Sequence, residues 1–489
     1  MDQFHHKPAN QMKEVIIPFL LLATLTVLSC GKGPETIIAE SDQLVPQADN
    51  AGPDTAVLPS FSENFQQLKI GEVGTIYSLD PLFATSNSEF RALRLVYNTL
   101  IDVSEAGEII PSLAASWSIN GDSTMITFHL RDNAYFHNNE IFSSGMGRKV
   151  LAKDVQFVFK RMASAQVPEY AALMFRDIKG FEMYRNEQLL VKDPGLRVTE
   201  TISGIEVTND STIIFKLNSG AGSFLEKLAH PYASIYPQES VPSNFFPIQK
   251  AVGSGPYYFV KKEGDALLFG VNSHYFGVKP SLSRVDIISG LNEKDLFQGL
   301  AKKEIDIFME LGPESLNLVA DSQGQLAVGY EDRFDLDYYS PVSDYTVYFN
   351  PGSRQVNEVN FLMESLKADS VFISPKLGNV EILPISSSGT ESPESISYAV
   401  AHTEHPFYVF LLSKLALKAN NLGGTFAMSA SYAVSDYTTF GTRPFSSAVP
   451  VLVWHTPLVS LSNKNVSGIR FNTYPWNIDF TNTEVTGNE

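Results

Sequence analysis

A single cysteine, Cys30, stands in the 489-residue chain, so no intrachain disulfide can form. Basic residues are scarce as well. The 36 Lys and Arg face 54 Asp and Glu, a formal charge of −18. Nucleic-acid binding favours a basic stripe, and this balance argues against it. The acidity suits solubility and gives only a faint pointer to a cationic ligand. Downstream of Val57 no hydrophobic run is long enough to span a bilayer. No G-x-S-x-G elbow supports Ser/His/Asp catalysis. Gly253-Ser254-Gly255 leads into Pro256, not Gly-Lys-Ser/Thr, and reads as a tight turn rather than a phosphate loop. The carboxylates show no pairing that spacing alone justifies.

What is present implies a large α/β protein. The length exceeds one ordinary core, so two or more lobes are expected. Phe and Tyr number 33 and 20; most belong in a core, and a wide ligand cleft would use others. A short apolar run over 15–28 follows Lys13, with Met12 as an alternative start. It is too short and too early for a comfortable membrane span and fits the apolar region of a signal peptide. Residues 31–63 are rich in Pro, Ala, Asp, Gln and Ser without apolar periodicity, as in a flexible tether.

Beyond the tether, β and α patterns alternate. Trp117 and Ile119 alternate with serines, Asn120-Gly121-Asp122-Ser123 signals a turn, and Ile126, Phe128 and Leu130 return as a strand. Val155, Val158, Phe159 and Met162 then recur at helical spacing. Leu93, Val96, Tyr97 and Leu100 make another helical stripe. A second hairpin joins Ile205 and Val207 to Ile213, Phe215 and Leu217, and Ser223 is a candidate cap for the helix after it. From Ser289, strand–helix–strand patterns imply a mostly parallel sheet, with a strand at 396–401, a helix through Phe407 and Leu415, and a strand at 425–431.

Particular residues say more. Ser78-Leu79-Asp80-Pro81, Val96-Tyr97-Asn98-Thr99-Leu100, the P-S-L-A-x-S-W run ending at Trp117, the F-H-L-R-D-N-A-x-F-H run from Phe128 to His137, Lys153-Asp154-Val155, Gly253-Ser254-Gly255-Pro256-Tyr257, the stretch Asn272 to Gly277 and Glu304-Ile305-Asp306-Ile307 follow one another in order. This series resembles the signature of bacterial extracellular solute-binding proteins of the oligopeptide/nickel-binding family. The resemblance implies a periplasmic-binding-protein-like (class II) bilobal α/β fold with an extra inserted lobe and discontinuous domains. Its boundaries would be signal peptide 1–30, tether 31–63, lobe I at 64–106, 205–287 and 456–489, lobe II at 107–204, and a shortened lobe III at 288–455. Two chain crossings would form a hinge, with the ligand between lobes.

The same resemblance implies a binder without turnover or cofactor: the membrane-tethered component of an ABC importer, monomeric, taking a small solute or peptide to an ABC permease complex. Val27-Leu28-Ser29-Cys30 resembles a lipobox, which would lipidate Cys30 and place the protein at the extracytoplasmic face of a bacterial envelope. The alternative is a non-transport lipoprotein that keeps the fold for a protein partner or a sensing role. Family ligand contacts fall on Thr85, Ser86 and Asn87, on Ser254, on Tyr275 and on Trp454. Core packing is the competing role for Tyr275 and Trp454, and turn formation for Ser86 and Asn87.

The chain departs from the family pattern in three places. Leu151 replaces a helix-capping Thr after an insertion at 143–150. The segment carrying an Asp that pairs with a peptide's ammonium group is missing, with Asp436-Tyr437 only a superficial match, so weak binding of free-amine peptides is expected. His402-Thr403-Glu404-His405 has metal-ligating residue types without H-E-x-x-H spacing, and a polar strand-to-helix turn explains it. His129 and His137 are expected to serve packing and loop hydrogen bonds.

Overall fold

The computed structural model describes residues 66–242, 247–349, 379–382, 449–472 and 474–487. The signal segment, the tether, Cys30, the His402–His405 turn, Asp436 and the elements expected at 396–401, 407–415 and 425–431 lie outside the described residues.

The chain opens with β1 (Gln67–Val73) and, after the Ser78–Pro81 turn, helix α1 (Asn87–Val96). Ser86 starts α1 as its N-cap: its Oγ accepts the Glu89 N–H at 3.2 Å. Eight of the ten residues of α1 are buried, among them Phe90, Leu93, Leu95 and Val96. The apolar stripe thus forms as its spacing requires, although the helix stops at Val96 and Leu100 lies beyond it.

A small β2–β3 hairpin (Ile101–Val103, Ile109–Pro111) leads to β4 (Ala114–Ile119) and β5 (Met125–Leu130). Helices α2 (Ala152–Met162), α3 (Glu169–Leu173) and α4 (Phe181–Leu190) follow, then the hairpin β6 (Ile205–Asn209) and β7 (Thr212–Lys216). β5 pairs with β7, so the two hairpins make one four-stranded antiparallel sheet, β4-β5-β7-β6. The boundary expected at residue 204 therefore cuts through a sheet. Ile126, Phe128, Ile213 and Phe215 share a buried face, and α2 covers it with Phe159 packed edge-on to Phe215. That shared apolar face holds 205–216 with 107–204.

After α5 (Gly222–Ala229), whose cap position holds Ala221 rather than Ser223, come β8 (Tyr257–Glu263), β9 (Ala266–Val271), β10 (Arg284–Leu291), α6 (Glu293–Ala301), β11 (Ile307–Phe308) and α7 (Pro313–Val319). The long strands β12 (Phe334–Phe349) and β14 (Val449–Asn463) pair antiparallel, and β13 (Asn379–Ile382) joins β14. The large sheet runs β12-β14-β11-β1-β10-β9-β8. Among the described strands its parallel pairs are β1–β10 and β1–β11. Among the described strands from Ser289 onward, β11 is parallel to β1 but antiparallel to β14, and β12 pairs antiparallel with β14; the strands expected at 396–401 and 425–431, on which the mostly parallel sheet also rested, lie outside the described residues.

Two buried ion networks fasten these parts. The Asp80 carboxylate accepts hydrogen bonds from both Arg161 terminal nitrogens, from the Leu82 N–H at 3.1 Å and from the Ile248 N–H at 2.8 Å. The Asp of Ser78–Pro81 thus locks α2 to the loop before α1. Arg91 binds Glu72 through Nε at 2.6 Å and Nη2 at 2.5 Å, and Glu310 through Nη1 at 2.7 Å. Elsewhere Leu151 offers α2 no side-chain cap. Arg148, from the inserted stretch, grips the buried Asp154 carboxylate at 2.7 and 2.8 Å, and the Leu151 N–H donates to the same group.

Candidate functional site

The candidate residues fall at the two ends of α1. At its N-terminus, Glu89 is buried and gathers a set of donors. Its carboxylate accepts the Tyr77 N–H at 3.2 Å, the Thr85 N–H at 2.7 Å and the Thr85 hydroxyl at 3.4 Å. Ser86 and Asn87 are half-buried and Thr85 is exposed. Ser86 caps the helix, and its hydroxyl also lies 3.3 Å from the Glu89 carboxylate. Tyr77 is 79% exposed beside this turn. It lies just past the C-terminal end of β1, whose neighbours β10 and β11 are parallel, and strand ends of that kind are favoured places for ligands.

At the other end, α1 meets the Gly253–Pro256 turn. A Cβ on Gly253 would stand 2.0 Å from the Val96 carbonyl oxygen, and one on Gly255 2.5 Å from that of Leu95. The glycines therefore permit close approach to the helix end, where the Gly255 N–H donates to Val96 O at 2.8 Å. Ser254 is fully buried and donates to Asn98 Oδ1 at 3.1 Å; Asn98 Nδ2 in turn donates to Tyr275 Oη at 3.2 Å. The structure thus brings Ser254 and Tyr275 together through Asn98. His137 staples the same turn. Its Nε2 donates to Gly255 O at 2.9 Å, and its Nδ1 faces the Gly253 N–H at 3.4 Å. Burial pushes its pKa down to about 4, so the ring is neutral at physiological pH.

Beside Asn98 and Tyr275 lies a cavity of about 680 Å³, within the range of small-molecule sites. Arg94, Asp102, Arg131, Tyr257, Phe276 and Asp479 are among its lining residues. Arg94 pairs with Asp102 at 2.5 Å. Thr85, Ser86 and Asn87 do not line it; a ten-residue helix such as α1 is about 15 Å long. Trp454 lies on β14, opposite Tyr345 of β12 and Val380 of β13; its side chain lies outside the described residues. Glu89 and Tyr77 stood in no motif, and Asn98, Arg131 and Tyr257 stood in motifs without a site role, because their meeting comes from packing across distant segments.

The family model for bacterial extracellular solute-binding proteins, family 5 Middle, matches residues 108–361, over half of the chain. The chain belongs to this family. The di/tripeptide-binding protein 1 of Pseudomonas aeruginosa (strain UCBPP-PA14) is 29% identical over 287 residues, 57% of this chain and 50% of that protein. The chain spans about half the length of the curated relatives it matches. Among solved structures, the periplasmic binding protein DppA of Helicobacter pylori in complex with the peptide STSA aligns with a TM-score of 0.65 at 16% identity, covering 86% of this chain and 98% of that one. AgaA from A.tumefacien R10, in complex with agropinic acid, aligns with a TM-score of 0.63 at 15% identity, over 86% and 99%. These structures establish the family's mixed α/β fold for this chain.

Proposed function

We propose that the protein captures a small solute, peptide-like or otherwise, between hinged lobes and delivers it to an ABC permease complex. It acts as a binder without catalytic turnover. The observation that carries this reading is the family match over 108–361, which runs through both the four-stranded sheet and the central strands β10 and β11. In this reading the N-terminal end of α1 forms one wall of the cleft. Glu89 fixes the Thr85–Asn87 turn, and Tyr77 offers an aromatic face to the ligand. Peptides would bind by backbone hydrogen bonds with loose side-chain pockets, less tightly than in relatives because the expected ammonium-binding Asp is missing from its segment. The apolar run ending at Cys30 supports a lipid tether at the extracytoplasmic membrane face. Cys30→Ser should then move the protein from the membrane to the soluble fraction.

Small-angle scattering of purified protein, with and without the solute that native mass spectrometry finds bound to it, tests the capture mechanism. A ligand can drive closure only by binding the closed form better. The radius of gyration is expected to fall on saturation. An unchanged radius with ligand bound would contradict hinged capture.

A further inference from the structure

The cavity at the C-terminal end of α1 holds polar groups that the protein does not use. Tyr257 is 1% exposed and lines the cavity, yet its hydroxyl has no hydrogen-bond partner among the described residues. Asn472 Oδ1, also on the lining, is buried and equally unpartnered among them. A buried polar atom without a partner carries a desolvation cost, which a bound group can relieve. Arg131 adds charge. Its Nε donates to Ser112 O and its guanidinium lies 5.5 Å from the centre of the Phe276 ring. No carboxylate pairs with it among the described residues, whereas Arg94 and Arg470 are paired with Asp102 and Asp479.

We propose that this cavity is a second binding site, distinct from the interlobe cleft, for a small zwitterionic solute with an apolar side chain: a free amino acid of the leucine type. Arg131 takes the carboxylate in the fork geometry that suits it, and Tyr257 donates its hydroxyl to the same end. The ammonium goes to the Asn472 oxygen and the acidic side that Asp102 and Asp479 provide. Ile110 and Val278, both exposed and both on the lining, cover the side chain. The unpartnered Asn472 oxygen calls for a donor and Arg131 for an acceptor, and a zwitterion supplies both where a simple anion or cation supplies one.

Calorimetry of the full chain tests this with L-leucine, its des-amino acid 4-methylpentanoate and L-leucinamide. L-leucine should bind, and each analogue should bind at least tenfold more weakly, since each leaves one end of the site unpaired. Tyr257→Phe should weaken L-leucine about tenfold and Arg131→Gln about thirtyfold, while Tyr77→Ala, at the far end of α1, leaves it unchanged. Tyr257→Phe keeps the ring and the core, so it carries the test if Arg131→Gln fails to fold. No binding of L-leucine, equal binding of 4-methylpentanoate, or an unaltered affinity in Tyr257→Phe would overturn the proposal.

Discussion

The two ends of α1 solve the same problem differently. A helix leaves unpaired N–H groups at its start and unpaired carbonyls at its finish. At the start, a side chain meets the need as Ser86 caps, while the Glu89 carboxylate turns back to collect the N–H groups of Tyr77 and Thr85, which precede the helix. At the finish, a neighbouring backbone does so, as the Gly253–Pro256 turn presses against Leu95 and Val96. The first solution faces outward and leaves Tyr77 exposed on a fixed base. The second is buried, and the space beside it keeps two polar atoms without a partner among the described residues. Under the two proposals, the first end serves the ligand of the cleft and the second a small solute held beside the Gly253–Pro256 turn. Between them, Arg91 anchors the helix to β1 and to the end of β11 through Glu72 and Glu310.

The largest effect should come from that middle. Arg91→Leu leaves two buried carboxylates facing each other, and burial already pushes Glu72 upward against the opposing pull of Arg91. Loss of one partner of a buried pair costs about 3–5 kcal/mol. Urea unfolding of the variant should show a drop of that size; a change within error would mean that the helix is held from its ends alone.

A smaller effect, seen only in acid, belongs to the buried end. His137 keeps a folded pKa of about 4 and His230 of about 3, both lowered by burial. In the unfolded chain each titrates near 6.5 (about the model-peptide value). Between these values the unfolded state binds more protons. Stability is thus complete above pH about 6.5 and declines as pH falls toward 4. Denaturation midpoints at pH 7 and pH 5 should differ in that direction, and His137→Gln should reduce the difference. An equal midpoint at both pH values would contradict a neutral, buried staple.

How much of this was legible in the sequence varies with the range of the interaction. Local patterns carried far: both hairpins and α2 follow from spacing. The order of motifs was enough to reach the family. Sheet order was not legible, because the pairing of β5 with β7 and of β12 with β14 joins segments far apart, and hydrophobic alternation does not name its partner. For the candidate site the sequence named residues without their neighbours. Ser254 and Tyr275 do meet, but through Asn98, and the cavity beside them is assembled from α1, the β2–β3 hairpin, Arg131, β8 and the 470–481 segment. Tyr77 carried no motif; only its exposure marks it. The Gly253-Ser254-Gly255 stretch is the tight turn that its residues suggest, and its glycines let it press against the end of a helix.

The smallest stability effect should lie at the capped end. Ser86→Ala removes one cap and should cost about 1 kcal/mol, visible as a modest shift of the urea midpoint. A shift as large as that of Arg91→Leu would make this turn a fold anchor rather than a binding wall.

The division of labour along α1 is tested most directly by affinity. The solute that copurifies with the protein, identified by native mass spectrometry, should be titrated into the wild type, Tyr77→Ala and Arg131→Gln by calorimetry. Tyr77→Ala should lose about tenfold in affinity, of the size expected for a stacked aromatic contact, and Arg131→Gln should keep the wild-type affinity. The reverse pattern, with Arg131→Gln losing the solute and Tyr77→Ala keeping it, would contradict capture at the N-terminal end of α1.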